Sequence, residues 1–165
     1  MPYSGLRMKS WTSSILEDRA ANPARFGAPT PPFRLGLLHL VTPHDVQGLR
    51  TALAHGRLPP DFAAKLARLG EGSLIHRSVE QNSRLFFALL LAALECSFTE
   101  ATPADRDRLM RVLAYVRKDD DAIPDYRPDG FIDDHQEVRA AAMELARLLH
   151  AFKVWRLRHQ VPAMW

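Results

Sequence analysis

The sequence predicts an all-α fold: a single-domain bundle of five to six helices with an extended, proline-rich N-terminal arm. Three observations predict it. Apolar residues recur at three- and four-residue spacing in the long segments beyond residue 42, which is the periodicity of a helix with one buried stripe. No segment of length alternates with period two, and none reads as a β-branched strand bounded by glycine. A helix-start signal, Thr-Pro-x-Asp, stands at residues 42–45 and again at 102–105. With 165 residues, 47% of them hydrophobic and 25% charged, the chain is long and apolar enough for one core. That composition excludes a disordered chain and a collagen-like fibre, and a single cysteine excludes a disulfide scaffold.

In chain order, residues 10–21 fit a short helix in which Ser14 and Glu17 are spaced as a capping box. Residues 22–34, NPARFGAPTPPFR, break the pattern, because Pro23, Pro29, Pro31 and Pro32 block both helix and central strand. This segment reads as an extended arm with aromatic anchors. It packs across its own domain or docks on a partner through Phe26, Pro31, Pro32 and Phe33. The expected organisation is therefore an arm over residues 1–34 and a helical domain over 35–165.

The first helix of that domain starts at Thr42-Pro43, buries Val46, Leu49 and Leu53, and closes at His55-Gly56. A second opens at Pro59-Pro60-Asp61, buries Phe62, Leu66 and Leu69, and stops at Gly70. The third and longest runs from Ser73 to Ser97. Its half Leu85–Leu94 is apolar on all sides, so it is surrounded by other helices or faces something apolar outside the domain. At ten residues this run is too short to span a bilayer, which takes about 20. Cys96, at its end, is expected as a small buried thiol. A fourth helix runs from Thr102 to Lys118 and buries Leu109, Val112, Leu113 and Val116. The last runs from about Asp134 to about His159. Val138, Ala141, Leu145, Leu148, Leu149, Phe152 and Trp155 share one of its arcs, and Arg139, Arg147, His150, Lys153 and Arg158 the opposite one.

The net charge is +3, and only Lys9, Lys65, Lys118 and Lys153 among the 22 basic residues are lysines. The surplus lies in residues 1–60, and it is weaker than the basic stripe a nucleic-acid-binding domain usually shows. No Walker loop, dinucleotide glycine fingerprint, His-Glu-x-x-His or cysteine pair is present. The N-terminal stretch has no apolar run fit for a signal peptide, and with one cysteine this points to a reducing cytoplasm.

The informative segment is KDDDAIPDYRPDGFIDDHQE, between the last two helices. Asp119, Asp120, Asp121, Asp125, Asp129, Asp133 and Asp134 fall within sixteen residues, with Ile123, Tyr126, Phe131 and Ile132 between them. The apolar residues pin the loop to the helices. Asp119–Asp121 follow a helix C-terminus, where the macrodipole disfavours negative charge, so Arg117, Lys118, Arg127 or a bound cation should offset them. Asp133 and Asp134 precede a helix, and Asp134 with Glu137 is spaced as a capping pair. Asp125 and Asp133 are expected to accept hydrogen bonds from amides or arginines within the loop. Asp121, Asp125, Asp133 and Asp134 supply oxygen donors of the kind that Mg²⁺ or Ca²⁺ takes. An EF-hand does not fit, since Arg127 and Gln136 stand where ligands are needed.

From Tyr115 through Asp121-Ala-Ile-Pro124-Asp125, Pro128, Gly130 and Asp133-Asp134, the segment resembles the signature of the YkvA-like family of small bacterial helical proteins. The resemblance covers roughly residues 80–150, and one residue separates Pro128 from Gly130 where many members have two. It implies a helical fold and places Asp121, Pro124, Asp125, Gly130, Asp133 and Asp134 in the family's motif. It implies no catalytic role, because the family has no settled activity. The expected function is a non-enzymatic helical accessory protein, a subunit or adaptor in a larger bacterial assembly with a protein partner or a second copy. The alternatives are a metal-dependent enzyme using the acidic loop and a nucleic-acid accessory using the basic helix face.

Overall fold

The structure, a computed structural model, describes residues 37–119, 122–125, 127 and 130–161, all within a unit spanning Leu35–Trp165. The expected helix over 10–21, the arm with Phe26, Pro31, Pro32 and Phe33, and the motif residue Asp121 lie outside the described residues. Among those described, the regular structure is entirely helical. A short 3-10 turn, Leu37–Leu40, precedes α1 (Pro43–Ala54), α2 (Pro60–Gly70), α3 (Leu74–Leu94), α4 (Pro103–Arg117), α5 (Ile132–Glu144) and α6 (Ala146–Arg158).

The two Thr-Pro-x-Asp sequences do the same job twice. Thr42 and Thr102 each cap their helix, accepting from the amide of Asp45 or Asp105 while that aspartate accepts from the threonine amide. This satisfies backbone donors that a helix start leaves open, worth about 1 kcal/mol per cap. Burial beside the helix works against ionisation of Asp45. The two bonds from Thr42 and the nearby Lys118 outweigh it and hold the carboxyl below its ordinary value.

α3 is the centre of the bundle and touches α1, α2, α4 and α5. Phe86 through Ala93 are all buried, and only Leu94 at the end of the run is exposed. The all-round apolar half of α3 is thus met largely inside its own bundle. Each fully buried Phe or Leu there contributes about 1.5–3 kcal/mol. α4 lies beside it with Leu109, Val112, Leu113, Tyr115 and Val116 buried. α4 and α5 are antiparallel: Tyr115 near the end of α4 meets Asp133 at the start of α5, whereas Arg108, two turns earlier, meets Glu144 at the end of α5.

Two sequence expectations fail here. The last helix begins at Ile132 and is broken at Leu145, whose φ of −99° and ψ of 19° leave the helical well. The hydrogen bonds Leu145 N to Ala141 O and Leu149 N to Leu145 O continue on either side, so the break is a bend without a loop. It lets Phe152 and Trp155 of α6 close on Phe98, with ring centroids 5.2 and 5.7 Å away. Cys96 is exposed, because α3 ends at Leu94 and the chain turns there through a Schellman motif. Ser97 N donates to Ala92 O and Cys96 N to Ala93 O, and Cys96 takes the left-handed position at φ 57°.

That position favours glycine, which lacks the Cβ that crowds the following carbonyl. Cys96→Gly is expected to raise the unfolding free energy by about 1 kcal/mol in urea titration. A loss of stability would show that the cysteine is held there by contacts stronger than the backbone preference.

Candidate functional site

Helix α2 presents Phe62, Lys65, Leu66 and Leu69 on one buried stripe, and the surprise among them is the lysine. The Lys65 side chain is 2% exposed. An ammonium taken out of water needs charge and hydrogen bonds in return, or its burial is prohibitive. The acidic loop supplies both. Lys65 Nζ lies 2.6 Å from Asp125 Oδ2, 3.5 Å from Asp134 Oδ2 and 3.8 Å from Asp119 Oδ1. It donates to the carbonyl of Lys118, 2.5 Å away, at the C-terminal end of α4. The ring of Phe131 covers it, with the centroid 5.6 Å from Nζ.

Asp119, the described acid that follows α4, is thus approached by an ammonium from another helix. Arg117 pairs instead with Asp61 of α2 at 2.7 Å. Lys118 turns away to donate to Leu40 O at 3.0 Å and to approach Asp45 at 3.4 Å.

Asp133 and Asp134 do not cap α5. Phe131 stands at the cap position without a side-chain capping bond, and the two aspartates sit in the first turn, both buried. Negative charge is favoured there by the helix dipole. Asp133 Oδ2 accepts from the Tyr115 hydroxyl at 2.7 Å and from the Ile123 amide at 3.0 Å. That amide is the within-loop donor expected for Asp133; Asp125 has Lys65 in place of a loop donor. Glu137, the residue expected to pair with Asp134 at the cap, accepts from Leu37 N and lies 3.8 Å from Arg108.

Pro124 and Gly130 shape the loop that carries these groups. Pro124 O accepts from Arg127 N, and Gly130 N donates to Arg127 O. A Cβ on Gly130 would lie 2.6 Å from Pro124 O and 2.7 Å from Asp125 Cα, inside any allowed contact. The glycine is needed because the two arms of the loop touch backbone to backbone. Pro124, Asp125, Gly130, Asp133 and Asp134 are thus brought into one site, with Tyr115 beneath them.

Above Lys65 opens a cleft of about 340 Å³ lined by Arg68, Leu69, His76, Asp119, Asp125 and Phe131. His76 sets the edge of its ring on Phe131, centroid to centroid 4.8 Å. Burial raises the Asp125 carboxyl to about 6, against the opposing pull of Lys65, with Asp119 adding repulsion. His135, the histidine next to the acids in sequence, is held below its usual value by burial and by Arg139. Among the described residues no group of three or more His, Cys, Asp or Glu side chains is arranged to hold a metal ion. The positive charge between Asp125 and Asp134 is the ammonium of Lys65.

Lys65 stands outside the expectations drawn from the sequence. Its one signal is position: it falls three residues after Phe62 and four before Leu69, in the middle of an otherwise apolar stripe. No protein-family model, curated protein or solved structure matches this chain.

Two outcomes follow from this geometry. Lys65→Met removes the ammonium shared by the buried Asp125 and Asp134 and is expected to cost about 3–5 kcal/mol in denaturant unfolding. Adding Asp125→Asn and Asp134→Asn should recover part of that loss, and no recovery would mean that the carboxylates do not depend on the lysine. The second concerns pH. The Asp125 carboxyl titrates near 6 when folded and near 3.8 when unfolded, so its contribution is most favourable below pH 3.8 and is lost as the pH rises toward 6. Relative to the parent, Asp125→Asn should gain stability across that window and then level off. A stability difference that is flat or falling there would contradict the placement of Asp125.

Proposed function

We propose that this protein is a non-enzymatic helical accessory protein, a subunit or adaptor in a larger bacterial assembly, and an outlying relative of the YkvA-like proteins. One observation carries the reading. The described carboxylates of the motif are turned onto partners within the fold: Asp125 and Asp134 onto Lys65, and Asp133 onto Tyr115 and Ile123. An acidic loop so engaged is a latch that fixes α2, α4 and α5 together, and the motif is then a folding signature. The exterior becomes the working surface. Leu74 and Leu157 are about four-fifths exposed, at 78% and 81%. No helix among the described residues is long and apolar enough to cross a membrane. A reducing cytoplasmic setting goes with the reading, on the strength of the single exposed thiol of Cys96.

The test is association in the native host. Tagged full-length protein, cross-linked in cells and isolated under denaturing conditions, is expected to carry a stoichiometric companion or a second copy. The Asp125→Asn variant, if folded, should carry the same one. A protein recovered alone at every cross-linker dose, together with a chemical activity that Asp125→Asn abolishes, would overturn the proposal in favour of an enzyme.

A further inference from the structure

Helix α6 carries Arg147, Lys153, Arg156 and Arg158 and no acidic residue. Arg156 and Arg158 lie in the last turn, where positive charge complements the helix dipole. Lys153 lies further in and has no such reason. Neither Lys153 nor Arg156 has a carboxylate within ion-pair distance among the described residues, whereas Arg84 across the groove is paired with Glu80. Three clefts of about 260, 480 and 420 Å³ run along this side of α6, and Arg156 lines all three. The first is apolar, built on Leu91, Phe152, Trp155 and Val161, with Glu95 at its wall. The second adds Leu157, which is 81% exposed.

From this we infer that the groove between α6 and α3 is a docking site for an acidic amphipathic helix of a partner protein, lying with its apolar side on Trp155, Leu157 and Val161 and its carboxylates on Lys153 and Arg156. The inference rests on the accessory reading above and names the surface it uses. Charge decides the sign of the partner: Glu80 in the third cleft is paired with Arg84, and against Glu95 in the first the groove still sets both Lys153 and Arg156, a positive excess that complements a row of Asp or Glu. Shape decides its class. An amphipathic helix fills an apolar groove through side chains at three- and four-residue spacing. A lipid surface is flat and calls for a continuous apolar face rather than a concave one. A nucleic-acid duplex presents phosphates outward and keeps its bases stacked inside, so it makes no use of an apolar cleft floored by aromatic rings.

The experiment uses the full chain and two labelled model peptides, an amphipathic helix of Leu and Glu and its twin of Leu and Lys, followed by fluorescence anisotropy. The Leu/Glu peptide is expected to bind, and more weakly as NaCl is raised. The charge-reversed K153E/R156E protein should lose about tenfold or more in affinity for it and should instead take the Leu/Lys twin. Should that protein fail to fold, the exposed L157S change alone is expected to weaken the Leu/Glu peptide. Equal binding of the Leu/Glu peptide by parent and K153E/R156E overturns the inference. So does tighter binding of phosphatidylserine vesicles or duplex DNA than of the peptide at the same salt, or self-association that vanishes in K153E/R156E. In cells, a companion cross-linked equally to parent and K153E/R156E sinks this surface while the accessory role stands, and a companion found with neither sinks both.

Discussion

A single ammonium group, buried beneath an acidic loop, determines how the second half of this protein is put together. Lys65 cannot sit in the apolar stripe of α2 without anions, and Asp125 and Asp134 cannot sit inside the bundle without a cation. Each makes the burial of the other tolerable. The carbonyl of Lys118, the ring of Phe131 and the turn at Gly130 are arranged about that pair. A buried ion pair of this kind is a weak source of net stability compared with apolar side chains of the same volume. Its value here is positional: Asp125 from the loop and Asp134 from α5 both reach the one ammonium of α2.

Polar groups elsewhere in the site follow the same logic. Asp133 is buried beside Asp134, yet faces a different helix, and Tyr115 and the Ile123 amide take its charge. Two adjacent aspartates thus fasten α5 to α2 and to α4. The loop, although rich in acid, is not a solvated tract, and the cleft above it inherits an Asp125 carboxyl whose ionisation burial has made harder.

Local chemistry was legible in the sequence, and long-range chemistry was not. The Thr42–Asp45 and Thr102–Asp105 caps, the end of α2 at Gly70 and the stripe of α4 are all set by residues a turn apart, and the sequence shows each directly. The aspartates of the loop could be picked out as a group, because density of charge is a local property. Their partners could not. Lys65 lies 60 residues before Asp125 in the chain, and nothing near either one announces the other. The same limit explains the reading of Asp133 and Asp134 as caps: their spacing suits that role, and only the packing of Tyr115 and Lys65 shows why they turn inward. The bend at Leu145 has no proline or glycine to mark it, and it follows from α6 closing on Phe98. Cys96 stood at the end of an apolar run, where burial was the natural reading, and the left-handed turn that exposes it is set by the carbonyls of Ala92 and Ala93.

Two lysines end up bound in series. Lys65 of α2 reaches the carbonyl of Lys118, and the ammonium of Lys118 reaches Leu40 and Asp45 at the start of α1. The contacts in this chain join residues 53, 78 and 73 positions apart. Bonds of such span cannot form while the chain is still searching locally, because closing long loops must precede any gain from them. The threonine caps close over three residues, whereas the two lysines tie α4 to α2 and to the segment around Leu40 and Asp45 across more than fifty. The polar contacts therefore divide by span: the short ones shape single helices, and the long ones hold separate helices to one another.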